Sequence, residues 1–299
     1  MSPLKNITLI GASGDLGSVI LEKLQASGQF NIRVLRRPTS NASFPPTVKV
    51  VDVLLDDVES LTEALRDQDA VVSAIGTSQI PQQEYLAEAC IRAGVQRLIP
   101  AEFGADIPNL KVQSLAIFQP HTTIHKAVIR ACETSSLTYT FVHNGVFLDW
   151  GIEHGFMFGI SDYKPLIIDD GNLVCSATTV GSIADAVVGI LNNPTETRNR
   201  DVYIEDIKLT QNKFYELAKK AAPSKPWEFK YAKLDDLTAG ADTEIAQWKR
   251  SEQAAVPYLY RALLDPEYGG SFTELDNELL GLKGKTEEDV IEIIKRYIK

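Results

Sequence analysis

Three glycines recur at G-x-x-G-x-x-G spacing in Gly11-Ala12-Ser13-Gly14-Asp15-Leu16-Gly17. Such a loop suits the pyrophosphate of a dinucleotide. A tight turn lifts the chain away, main chain approaches the phosphates with no Cβ between, and a following helix offers unpaired N–H groups at its positive end. A glycine-rich turn alone is ordinary. Here the β-branched run Ile7-Thr8-Leu9-Ile10 leads in and an amphipathic pattern from Ser18 to Ala26 leads out, the strand–turn–helix order that dinucleotide binding requires. A second apolar run, Ile32 to Leu35, ends in Arg36-Arg37-Pro38-Thr39-Ser40, where the adenosine ribose lies in such folds. An acidic residue there would accept from the 2′-hydroxyl of NAD, whereas arginines and hydroxyls suit a 2′-phosphate, so the expected cofactor is NADP(H). Asp52, ending the run Val48 to Val53, is expected at the adenine edge, and Ala74, Ile75 and Gly76 where the cofactor crosses the sheet edge.

The elements that must position these residues alternate along the chain. Strand patterns at Ile7, Ile32, Val48, Asp69 to Gly76 and Gln96 to Pro100 are separated by helical patterns at Ser18 to Ala26, Asp57 to Arg66 and Gln82 to Ala93. Short links between strand and helix predict a right-handed, doubly wound parallel sheet. A helix over Thr122 to Thr134 and a sixth strand and exit loop over Leu137 to Phe147 follow, then aromatics and glycines crowd Gly151 to Gly159. From Thr210 the pattern is mostly helical, through to Glu287–Ile298. The expected fold class is α/β, a Rossmann-type doubly wound parallel sheet with a smaller, mainly helical C-terminal substrate domain. Its expected limits are 1–150 for the nucleotide domain, with sheet additions from about 174–204, and 151–173 with 205–299 for the substrate domain.

Composition narrows the partners. The chain has 299 residues, 44% hydrophobic and 23% charged, enough for a large core. A formal net charge of −10 and no Lys/Arg cluster argue against nucleic acid. Cys90, Cys132 and Cys175 stand far apart with no C-x-x-C pair, so neither a disulfide framework nor a metal site is expected. No membrane-length apolar segment or cleavage pattern stands out, and the expected compartment is the cytoplasm, the expected state a monomer or homodimer.

The sequence resembles the isoflavone-reductase-like branch of the NmrA-like, atypical short-chain dehydrogenases. The likeness is carried by Gly11, Gly14 and Gly17, by Arg37, and by Pro100-Ala101-Glu102-Phe103-Gly104, where the branch usually has Ser at the place of Ala101. It continues through His125-Lys126-Ala127-Val128-Ile129-Arg130, Thr138-Tyr139-Thr140 and Asp170-Gly171-Asn172, and is weakest between Thr238 and Gly284. The resemblance implies NADPH-dependent reduction of a small aromatic, phenylpropanoid-like substrate, with Lys126 as general acid/base beside the nicotinamide. Periodicity reads Lys126 differently: Ile124, Ala127, Val128 and Ala131 form the apolar face of its helix, and Lys126 lies opposite with Arg130 and Glu133, as a solvated lysine would. Phe103 and Asn144 are expected beside the cofactor, and Glu102, His125, His143 and Phe147 beside the substrate, at the carboxyl edge of the sheet. His121 and His125 are relay candidates or plain structural histidines, and Phe103 is equally a core residue. Tyr215 and Lys219 match Y-x-x-x-K, but fall after the sheet is complete and are expected as a surface pair. A reading of another class stays open, a non-catalytic NADP(H) sensor of the NmrA type acting through a protein partner.

Overall fold

The computed structural model describes residues 3–246 and 252–298; the remainder, including 247–251 of the expected substrate domain, lies outside the described residues. Strand β1 (Asn6–Ile10) runs into the glycine turn and helix α1 (Asp15–Ser27), which begins at Gly14 and stops on Gly28 in the left-handed conformation. Strands β2 (Asn31–Arg36) and β3 (Lys49–Asp52) follow, then α2 (Val58–Ala64), whose Asp57 carboxylate accepts from the Ser60 N–H. Strand β4 (Ala70–Ser73) leads through a 3-10 turn, Thr77–Gln82, to α3 (Gln83–Ala93), ended by left-handed Gly94. Next come β5 (Arg97–Ile99), α4 (Leu110–Ser114), α5 (Gln119–Glu133), β6 (Thr138–His143), β7 (Val146–Phe147) and α6 (Leu148–His154). After β8 (Leu166–Ile168) and β9 (Cys175–Thr178) come α7 (Val180–Asn192), β10 (Arg200–Tyr203) and β11 (Ile207–Leu209). The chain closes with α8 (Gln211–Ala221), β12 (Lys230–Ala232), α9 (Leu234–Ala246), α10 (Glu252–Leu264) and α11 (Glu287–Tyr297).

Seven strands form the main sheet in the order β10-β6-β5-β4-β1-β2-β3, every neighbour parallel. The strand order reverses between β1 and β4, so the glycine turn sits at the switch point where α/β ligands bind. Helices cover both faces, which is why these strands read as near-continuous apolar runs. On one face Ile20 and Leu24 of α1 pack with Ile183, Val187 and Ile190 of α7; on the other Leu61, Leu86 and Val128 carry α2, α3 and α5. A further core joins Ile152, Phe158, Phe214, Tyr215, Leu263 and Ile294 in the C-terminal helical region. At the sheet's far edge the buried Arg97 guanidinium donates to the hydroxyls of Thr138, Thr140 and Thr197, each at 2.9 Å, tying β5 and β6 to the segment before β10. Burial pushes its pKa down to about 10. Among the described residues no helix is long and apolar enough to cross a membrane.

Three local expectations need correction. The sixth strand ends at His143, but its exit loop, Asn144 to Phe147, is not all loop: it carries β7, which leaves to pair Val146 with Ala177 of β9. The break is forced at Gly145, where φ is 62° and a Cβ would sit 2.2 Å from the Ser176 carbonyl oxygen. Helix α5 starts at Gln119, with Pro120 in its first turn, before the expected Thr122. Tyr215 is not on the surface. It is buried, its hydroxyl donates to the Gly159 carbonyl at 3.1 Å, and the Lys219 amine lies 4.4 Å from the Phe229 ring centre. Lys219 is exposed as expected; Tyr215 is the member of the pair that the structure buries.

Gly145→Ala combines a left-handed backbone with a steric overlap, and is expected to destabilise the chain by about 2–4 kcal/mol. A denaturant midpoint within error of wild type would contradict this account of the β6–β7 break.

Candidate active site

Two cavities meet at the carboxyl edge of the sheet. The first, a cleft of about 180 Å³, is lined by the glycine turn, by Arg36, Arg37 and Ser40 after β2, and by Ala74, Ile75 and Gly76 after β4. Phe44, Leu55 and Gln79 also line it; the first two are single apolar residues in irregular loops and Gln79 lies in the 3-10 turn after β4, so none gave a periodic signal. The three glycines have different reasons to be glycine. Gly11 has φ 82° and a Cβ there would lie 2.2 Å from the Ala74 carbonyl oxygen, while a Cβ on Gly17 would lie 2.0 Å from that of Gly11. Gly14 has an ordinary φ of −82°, and its Cβ would meet nothing closer than Gly11 oxygen at 3.5 Å. Protein packing therefore requires Gly11 and Gly17 but not Gly14, which faces space that a phosphate group can fill.

The two arginines divide. Arg36 donates to Asp52 from Nε at 2.8 Å and from an Nη at 3.2 Å, and to the Ala42 carbonyl at 2.6 Å. The Asp52 hydrogen bond holds the Arg36 pKa above its ordinary value, and Arg36 holds the Asp52 carboxyl below its own. Asp52 is thus committed to Arg36 and is absent from the described lining of the cleft, so the expected adenine contact is not what its placement offers. The Arg37 side chain is exposed at the cleft and makes no hydrogen bond or ion pair to the described residues, so its guanidinium is left for a ligand.

The second cavity, about 360 Å³, is apolar and aromatic. Phe103, Phe118, Phe147, Trp150 and Phe156 line it, with Leu259 and Leu263 of α10. Its Asp15 and Thr77 directly follow Gly14 and Gly76 of the first cavity's lining, so the two cavities adjoin along the chain at the starts of α1 and of the turn after β4. The Trp150 indole N–H donates to Asp15 at 2.7 Å, fixing the wall of one cavity to the loop of the other. Phe147, expected beside the substrate, lines this cavity, and so does Phe103, which was expected beside the cofactor and is absent from the described lining of the cleft. Trp150 and Phe156 fall in or beside the aromatic-rich stretch noticed in the sequence without an assigned role, whereas Leu259 and Leu263 come from the least familiar segment.

The other expected contacts lie behind this wall. Glu102 is buried, with one oxygen 2.8 Å from His125 Nδ1. The His125 ring stacks on Phe141 at 4.0 Å, and its Nε2 is 3.8 Å from Asp201. His143 donates from Nδ1 to the Ala105 carbonyl at 2.8 Å and presents Nε2 to Asp201 at 2.7 Å. Burial works against its imidazolium, but the Asp201 hydrogen bond and charge, with the Ala105 carbonyl and Glu102, raise its pKa overall. Asp106 has its carboxyl raised by burial despite accepting from the Tyr203 hydroxyl at 2.9 Å. Glu102, His125 and His143 are therefore corrected from substrate contacts to a buried layer, because each is sealed under neighbouring side chains. His121 does line the aromatic cavity, and burial lowers its pKa. Asn144 is fully buried, its amide donating to the Gly145 carbonyl at 3.1 Å and its Oδ1 left without a partner, so it backs the site without lining it. Lys126 is exposed on α5, outside the described lining of both cavities, where periodicity put it.

A profile of the NAD(P)H-binding family matches residues 11–194, more than half the chain. The chain belongs to this NAD(P)H-binding family, in its isoflavone-reductase-like group. Its relatives include Oxidoreductase aprR of Aspergillus flavus, 29% identical over 95% of this chain and 97% of that one. Eugenol synthase 1 of Petunia hybrida is 27% identical over 70% of this chain and 71% of its own. Among solved structures, AtPrR2 with NADP+ and (+)pinoresinol has the same fold, with TM-score 0.81 at 23% identity over the full length of both chains.

The unequal roles of the glycines are open to test. Gly14→Ala is expected to keep wild-type stability yet weaken NADPH binding at least tenfold, since a methyl group enters the phosphate space. Thermal melting and fluorescence titration read the two effects separately; equal NADPH affinity would remove Gly14 from the site.

Proposed function

We propose that the chain is an NADP(H)-dependent oxidoreductase that reduces a small aromatic molecule held in the second cavity. The observation that carries this reading is the junction of the two cavities, a phosphate-type cleft opening beside an aromatic pocket at the switch point of the sheet. The main chain of Gly11 to Gly17, with Ser13 and Asp15 at the start of α1, would hold the pyrophosphate. Arg37 with Ser40 would take the 2′-phosphate, Arg36 bracing that loop against Asp52. NADPH bound there would supply the hydride. Phe103, Phe147 and Trp150 offer flat faces to an aromatic ring. The names of the relatives, eugenol synthase among them, support the same substrate class.

The smaller unit, 151–173 with 205–299, closes the pocket through Phe156, Leu259 and Leu263. Lys126 takes the acid/base role that the resemblance implies. Its ammonium stands outside the described lining of both cavities, so in this role the flexible stem would have to bring it over the rim to protonate the substrate oxygen. A sensor acting only through a protein partner would not need an aromatic pocket next to the cofactor cleft, so the catalytic reading is preferred. Cytoplasmic residence suits the buried thiols Cys90, Cys132 and Cys175, none in a disulfide.

The enzyme is expected to oxidise NADPH, not NADH, with members of a panel of aromatic ketones, enones and benzylic ethers. Arg37→Ala is expected to weaken NADPH at least tenfold and leave NADH unchanged. Lys126→Ala is expected to lower kcat about 100-fold with NADPH affinity intact. Tight NADPH binding without turnover of any member of the panel would sink the catalytic reading.

A further inference from the structure

The aromatic pocket has one imidazole in its lining, His121, and directly behind it a carboxylate with an unfilled position. The Glu102 side chain is fully buried. One of its oxygens is bonded to His125 at 2.8 Å; the other, Oε1, has no hydrogen-bond partner and lies 3.8 Å from His121 Nδ1. A bare buried carboxylate oxygen is costly, and Nδ1 of His121, a donor in one tautomer of the neutral ring, stands just beyond hydrogen-bond range of it. A small rotation of the imidazole closes the gap. Glu102 itself cannot swing to meet it, because His125 is clamped between Glu102 and the ring of Phe141 and backs onto Asp201 and His143. With Nδ1–H directed at a fixed carboxylate, Nε2 is left as the nitrogen with a lone pair for a ligand in the pocket. This is how buried carboxylates set the tautomer and basicity of catalytic imidazoles.

We propose that His121, oriented by Glu102, accepts the proton of a hydroxyl on the aromatic substrate, so that the pocket selects phenols over their ethers. The inference rests on the aromatic-pocket reading above and adds a task distinct from that of Lys126. As the proton moves, the substrate O–H bond breaks and the Nε2–H bond forms. The resulting imidazolium faces the Glu102 carboxylate, and the phenolate keeps the electron pair. The proton returns to the same oxygen once the ring's extra charge is spent. Burial lowers the His121 pKa, with Glu102 opposing, so the imidazole is neutral and ready to accept before substrate arrives. Asp15, the one carboxylate among the described lining residues, already accepts the Trp150 indole N–H on Oδ2 at the α1 side of the pocket.

The test needs no turnover. The full chain loaded with NADP+ is titrated with 4-nitrophenol, whose phenolate absorbs distinctly, and with 4-nitroanisole, its methyl ether, below the solution pKa of the phenol. Wild type is expected to bind 4-nitrophenol with the phenolate band and to bind it about tenfold more tightly than the ether. His121→Asn should lose both the band and the preference while keeping NADPH affinity, which also certifies its fold. Glu102→Gln should bind 4-nitrophenol without the band, since a neutral amide cannot support the imidazolium. If the band is absent from wild type, or His121→Asn keeps band and preference, the inference falls and the aromatic-pocket reading stands. If neither probe binds wild type, the pocket reading falls and takes the inference with it.

Discussion

Everything in the site depends on how closely the chain crosses itself at the first turn. Gly17 packs so tightly on the carbonyl of Gly11, and Gly11 on that of Ala74, that no side-chain carbon fits at either contact. This approach sets α1 directly over the carboxyl ends of β1 and β4, and with it the place where the strand order reverses. The α1 N-terminus can then face a phosphate, and Asp15 at that terminus can reach Trp150 across the neighbouring pocket. A looser turn would separate the two cavities and leave a cofactor and a substrate without a common edge.

Much of the fold was legible because its signals are local. Strands buried on both faces must be apolar throughout, the glycine loop must follow the first of them, and caps such as Gly94 and Thr210 mark their helices. The short strand β7 was less legible. The tertiary demand that ends the strand is the Ser176 carbonyl pressing on Gly145, and no pattern within Leu137 to Phe147 encodes it.

The site divides in the same way. Main-chain features, the glycine turn and the ends of β2 and β4, were readable from spacing. Side-chain partners were not. Nothing in the sequence says that Arg36 is taken by Asp52 while Arg37 is left free, because that choice is made by the pairing of β2 with β3, Arg36 opposite Asp52. Nor could periodicity separate His121 from His125. Both lie on α5 one turn apart, yet one lines the pocket and the other is stacked on Phe141 beneath it. The depth of the pocket wall, a property of how α5 leans on β6, decides which histidine meets a ligand.

The Arg36–Asp52 pair also bears on redesign of the nucleotide site. Enzymes that use the unphosphorylated cofactor keep a carboxylate at the end of the second strand as a ribose acceptor. Here a carboxylate is near that position, one strand over, but both its oxygens are engaged by Arg36. Stripping positive charge from the loop would remove affinity without creating an acceptor in its place. A change of cofactor would have to release Asp52 and reshape the loop that Arg36 holds through the Ala42 carbonyl, so the preference is set by a coupled pair of residues and resists single-step drift.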